Sequence, residues 1–214
     1  MHLEKPAIEK CFIYLCFNMF QKSISNEEIN ELPLTAFEGN ITLVDTISSL
    51  QEVAAELSGQ SILGFDTETR PSFKKGKRNP VCLLQFATPE KAFLIRLNRV
   101  GLQPEIISVM SNPNIIKVGV ALREDIRSLQ ELAQFTPAGF IDLQDYVKKF
   151  DIVNYGLKKL SAIVLNVRIS KNQRLTNWEL DELSDSQLRY AATDAWATLQ
   201  IFRKLDANTL FPFT

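Results

Sequence analysis

The hydrophobic and polar positions follow two alternating rhythms once past about residue 40. "TISSLQEVAAELSG" (46–59) reads as a helix that stops at Gly59, and "SILGFDTET" (61–69) as a buried strand that ends in polar residues. "KKGKRNP" (74–80) is a turn by its Gly, Asn and Pro. "VCLLQFAT" (81–88) and "KAFLIRL" (91–97) are separated only by Pro89 and Glu90, which predicts a hairpin. Residues 61–97 therefore read as three consecutive antiparallel strands. A helix over 104–111, a strand over "NIIKVGVAL" (114–122), a helix from Arg123 and a short strand in "FIDL" restore an α/β alternation. The remainder reads as mostly helical. The pattern predicts a single α/β domain with a mixed sheet, antiparallel at one side and parallel at the other.

The last long helix has clear start signals. Ser184 and Gln187 make a capping box, and Leu183 with Leu188 fits a hydrophobic staple. Its apolar stripe runs Leu188, Ala191, Ala195, Leu199, Phe202. Tyr190 and Asp194 stand one turn apart, off that stripe, on a second face continued by Ala197 and Ile201. A carboxylate on a partly buried face needs a partner, because desolvating a lone charge is costly.

Other acids are candidates for that partnership. Asp66 and Glu68 lie two apart on a strand, so both side chains point the same way. Crowded carboxylates repel unless a cation or a proton lies between them. The apolar "ILGF" before them implies a central strand that delivers the pair to its C-terminal edge, where ligands bind in open α/β sheets. Asp125 follows a later strand in the first turn of a helix, a place that the helix dipole alone also favours, as it does for Glu124.

Singly these motifs are weak; in this order they are not. "GFDTET" followed by "VCLLQFAT", then "KVGVALREDI", then "TNWELDELSDSQLRYAATDAWATLQIF" resembles the DEDD superfamily of 3′→5′ exonucleases. The likeness is to its tyrosine subclass, in the RNase D and Werner-type branch, over roughly residues 40–206. The sister subclass with histidine one residue earlier is excluded, since position 189 is Arg and the single His is His2.

The resemblance implies an RNase H-like fold and a two-metal site. Four carboxylates with no His or Cys cluster suit two Mg²⁺ or Mn²⁺ ions rather than zinc. Asp66 would bridge both ions, Glu68 and Asp194 would complete the ion beside the nucleophile, and Asp125 would hold the second ion. Tyr190 would orient the attacking water. Thr67 and Thr69 are candidates to meet the terminal nucleotide. The basic turn Lys74, Lys75, Lys77 and Arg78 reads equally as a phosphate contact or as a solvated loop. Trp178 reads either as a base-stacking platform or as a core or lid anchor. "RISKNQRLTNW" (168–178) carries three more cations and is expected to rim the same cleft.

Composition narrows the picture further. The formal net charge of −1 leaves no global basic field, so nucleic-acid binding has to come from a local patch or from bound cations. No Gly-rich phosphate cradle is present, which argues against NTP use. Cys11, Cys16 and Cys82 are odd in number without metal-type spacing, which predicts a reducing, cytoplasmic setting. The apolar run "CFIYLCFNMF" (11–20) is too short to span a bilayer, so no membrane is expected. Residues 1–40 are set apart as an appendage, either an extra helix or the product of an early start with Met19 as the alternative, and 41–214 as the exonuclease domain. The lack of appended helical or helicase regions favours a stand-alone Werner-type enzyme acting on the 3′ end or single strand of DNA. The alternatives are RNase D-like trimming of RNA and an inactive nucleic-acid-binding module.

Overall fold

The computed structural model describes residues 20–72, 76 and 78–210. Met19 and most of the apolar N-terminal run lie outside them, as do Lys74, Lys75 and Lys77. One sheet contains β1 (Asn40–Val44), β2 (Ile62–Thr69), β3 (Val81–Ala87), β4 (Lys91–Arg96), β5 (Ile116–Gly119) and β6 (Phe140–Asp142). Its order is β1-β4-β3-β2-β5-β6. β2, β3 and β4 run antiparallel in succession. β1 joins β4, β5 joins β2 and β6 joins β5 in parallel. The mixed sheet read from the sequence is observed, but its antiparallel strands are central: β1, an unforeseen edge strand, adds a parallel pair on the side expected to be antiparallel.

The principal helices are α1 (Asn26–Glu31), α2 (Ile47–Ser58), α3 (Pro104–Ser111), α4 (Leu122–Leu132) and α5 (Asp185–Leu210). α2 starts where Thr46 accepts from the Ser49 amide and buries Leu50, Val53, Ala54 and Leu57. α3 has Pro104 in its first turn, where a missing N–H costs nothing. The strand expected over 114–122 shortens to Ile116–Gly119, because Ala121 turns into the left-handed region at φ 60° and α4 begins at Leu122. An apolar run cannot by itself mark where a strand ends and a helix begins.

α2, α3 and α4 pack their apolar residues on one face of the sheet, with Leu63, Phe65, Leu84 and Phe86 in that core. α5 covers the other face and is covered in turn by Val147, Leu160 and Ile163. The apolar stripe expected of α5 and its second face through Tyr190, Asp194, Ala197 and Ile201 are both covered, so the helix is buried almost all round from Tyr190 to Phe202. Small residues make the approach possible. A Cβ on Gly64 would stand 1.9 Å from the Ala195 carbonyl oxygen, so only glycine lets α5 lie directly on β2. Thr198 pins the same contact, donating to the Val118 carbonyl at 2.8 Å and accepting from the Phe65 amide at 3.4 Å. Before β1, Ile24, Ile29 and Phe37 are buried, and the Phe37 amide donates to Thr193 Oγ1 on α5 at 2.9 Å.

Candidate active site

β2 carries Asp66 and Glu68 to its C-terminal end on the face that α5 covers, and α5 brings Asp194 over them. One ligand oxygen from each of these three carboxylates lies within 4.8 Å of the others. The β2–β3 register slips there, pairing Glu68 with Leu83 but Thr69 with Val81. Such a bulge bends the strand end and re-aims its side chains.

Asp125 arrives from the opposite layer in the first turn of α4 and stands outside that tight trio. Thr67 Oγ1 donates to its Oδ1 at 2.6 Å, tying α4 to β2. The start of α4 is held from β6. The Asp142 carboxylate accepts from the amides of Ala121 (3.1 Å) and Leu122 (2.9 Å), and from the Gln144 amide at 2.9 Å. Ala121 itself has no side-chain cap to offer, so Asp142 satisfies the orphan donors.

Burial and mutual repulsion dominate the electrostatics. Asp66 is raised well above the usual carboxylate range by burial, then by Asp194 and Asp125. Burial, Asp66 and Asp194 push Glu68 up to about 10. Asp125 and Asp194 rise to about 6, each chiefly through burial. Lys171 is the cation that opposes these shifts at Asp66, Glu68 and Asp194. Tyr190 keeps its phenol proton, since burial and the neighbouring Asp194 and Glu68 all disfavour a phenolate. Asp194 Oδ1 is buried without a hydrogen-bond partner. A carboxylate trio that is crowded, proton-retaining and partly orphaned fits a hard divalent cation, which would neutralise the repulsion and satisfy the open oxygen.

A model of the 3′–5′ exonuclease family matches residues 41–209. The chain belongs to the 3′–5′ exonuclease family. It is 30% identical over 201 residues to the mouse bifunctional 3′–5′ exonuclease/ATP-dependent helicase WRN, covering 86% of this chain and 14% of that protein. It is 30% identical over 185 residues to ribonuclease D of Haemophilus influenzae, covering 85% and 45% respectively. The chain thus spans less than half the length of these curated relatives. In fold it resembles the Aedes aegypti Nibbler exonuclease domain, with a TM-score of 0.73 at 24% identity over 82% of this chain and 93% of that one. It also resembles Escherichia coli RNase D, with a TM-score of 0.71 at 22% identity over 80% and 45%.

Of the expected site residues of this exonuclease-family chain, Asp66, Glu68, Asp194 and Tyr190 come together, and Asp125 is tied to the intervening Thr67. Thr67 spends its hydroxyl on Asp125, so its side chain serves that acid. Thr69 and Arg78 line a polar cleft of about 330 Å³ beside Asp125, with Arg70 and Asn79. There Arg78 pairs with Glu124. Trp178 corrects the base-stacking reading: it is fully buried, packed with Leu83, Leu94 and Leu183. Its ring centroid lies 5.9 Å from that of Tyr190 at 39°, so it backs the tyrosine instead of facing the cleft. The loop after it is held by the buried Arg96, which donates to the carbonyls of Leu180 and Asp181.

Sequence reasoning passed over Asp142, Arg96 and Gly64, and noticed Lys171 only as one cation of a basic stretch. Asp142 read as the end of a short strand. Its chemistry depends on a helix start 20 residues earlier, which no local pattern reveals.

Proposed function

We propose that the chain is a metal-dependent 3′→5′ exonuclease that hydrolyses phosphodiester bonds from the 3′ end of DNA and releases nucleoside monophosphates. The observation that carries the reading is the convergence of Asp66, Glu68 and Asp194 within 4.8 Å, with Asp125 opposite. Two Mg²⁺ or Mn²⁺ ions would be held by these acids, Asp66 serving both. Bound there, such ions supply charge stabilisation to the attacking and leaving oxygens of an in-line displacement.

The protein's own groups do the rest. Tyr190 stays a neutral phenol and orients the attacking water through its hydroxyl, beside Asp194 on the next turn. Lys171, whose charge opposes the repulsion at Asp66, Glu68 and Asp194, meets a phosphate oxygen of the terminal nucleotide. Arg70 and Arg78 flank the polar cleft beside Asp125 and receive the phosphate backbone, Arg78 exchanging Glu124 for a phosphate. Identity of 30% over 201 residues to the mouse exonuclease/helicase WRN supports the 3′→5′ exonuclease reading. Equal identity to ribonuclease D keeps RNA as the second reading.

The test uses 5′-labelled single-stranded DNA, recessed-3′ DNA and a matched RNA with Mg²⁺, Mn²⁺ or EDTA. A ladder shortening from the 3′ end, lost with EDTA and in Asp66→Ala, supports the proposal. Faster shortening of RNA moves the reading to RNA trimming. Binding without metal-dependent shortening replaces it with an inactive nucleic-acid-binding module.

A further inference from the structure

Gln85 lies in the middle of β3, fully buried, and both its Oε1 and its Nε2 lack a hydrogen-bond partner. The β2–β3 register sets it directly opposite Asp66. Residues opposed in an antiparallel ladder project to the same face with their Cβ atoms close together. On its other side β4 sets Leu94 opposite Gln85, and Leu94 packs with Ala191 of α5 in one apolar cluster. The amide is thus enclosed between a leucine and a carboxylate, on the face covered by α5. Asp194 Oδ1, from the helix laid over this face, is a second buried oxygen without a partner.

A leucine or methionine would fill the volume of Gln85 without burying unpaired polar atoms, and the rest of β3 is apolar: Val81, Cys82, Leu83, Leu84, Phe86 and Ala87. An unsatisfied amide in such a strand calls for a role. We propose that Gln85 is a positioning residue for Asp66. Its Nε2 donates to an Asp66 carboxylate oxygen, directly by rotation of the terminal amide or through one buried water. This fixes the carboxylate's orientation for cation binding, the part that outer hydrogen bonds play around metal-ligating side chains. The inference rests on the metal-dependent reading above.

The experiment is a Mn²⁺ titration by calorimetry, without nucleic acid, on wild type, Gln85→Met, Gln85→Leu and the control Leu94→Met, with thermal unfolding of each in EDTA. The two Gln85 variants are expected to lose about tenfold or more in Mn²⁺ affinity while unfolding in EDTA at or above the wild-type temperature. Leu94→Met, a volume-conserving change on the same face, is expected to keep wild-type affinity. Wild-type affinity in Gln85→Met overturns the proposal, because the amide is then only core. Equal losses in Gln85→Met and Leu94→Met also overturn it, since packing alone then explains them. A wild type that binds no Mn²⁺ overturns the metal-dependent reading and this role with it.

Discussion

Asp66 carries an electrostatic cost from burial and from Asp194 and Asp125, and a substitution separates that cost from its use. Burial and two neighbouring carboxylates disfavour its charge, so Asp66→Asn relieves the metal-free protein. Its melting temperature in EDTA is expected to rise, by about 2–4 °C for each kcal/mol gained. Activity is expected to fall by about a thousandfold, because the stabilisation that metal ions supply is worth several kcal/mol. Thermal unfolding and an exonuclease assay on the same preparation check both; a destabilised metal-free variant contradicts the account. Tyr190 makes the opposite kind of contribution. Tyr190→Phe is expected to lower kcat by about a hundredfold and to leave Mn²⁺ affinity unchanged. Because the phenol holds its proton, the ratio of wild-type to variant rates should stay flat from about pH 7 to about pH 9.

At the scale of elements, the site is an alignment of β2, α4 and α5. Gly64→Ala puts a methyl group into the Ala195 carbonyl, and α5 must lift from β2 to admit it. The expected loss is about 1–3 kcal/mol of stability, with activity reduced because Asp194 moves away from Asp66. Urea unfolding and kcat measured together check this; an unchanged kcat would mean that α5 accommodates the methyl elsewhere. Asp142→Ala acts on α4, freeing the amides of Ala121 and Leu122. It should cost about 1 kcal/mol, as lost helix caps do, and should weaken activity through Asp125 while sparing the Asp66–Glu68–Asp194 trio. The hairpin, α2, α3 and the capping box of α5 were legible because turn residues, caps and periodicity are local signals. β1 was not, since its pairing partner β4 lies about 50 residues along the chain.

Across the whole molecule, the raised acids make stability depend on pH and on metal together. A carboxyl raised in the folded chain ionises later than in the unfolded chain, so the native state holds the extra protons and loses stability as pH rises. The window opens near pH 4 and runs to about 6 for Asp125 and Asp194 and to about 10 for Glu68. In EDTA the melting temperature is expected to fall between about pH 5 and about pH 8, and Mn²⁺ to raise it more at the higher pH, where the ligands give up fewer protons to bind. Scanning calorimetry at both pH values checks the sign. The sequence by itself determined the acids, their order and spacing, the strand and helix rhythms, and the tyrosine one turn before Asp194, because each follows from residue type and local period. Tertiary structure alone decided that α5 is buried almost all round from Tyr190 to Phe202, that Trp178 backs Tyr190, that Asp142 caps α4, and that an unpaired Gln85 faces Asp66. Those facts rest on contacts between distant parts of the chain, such as Phe37 with Thr193 156 residues away, and chain closure of that kind leaves no mark on a local pattern.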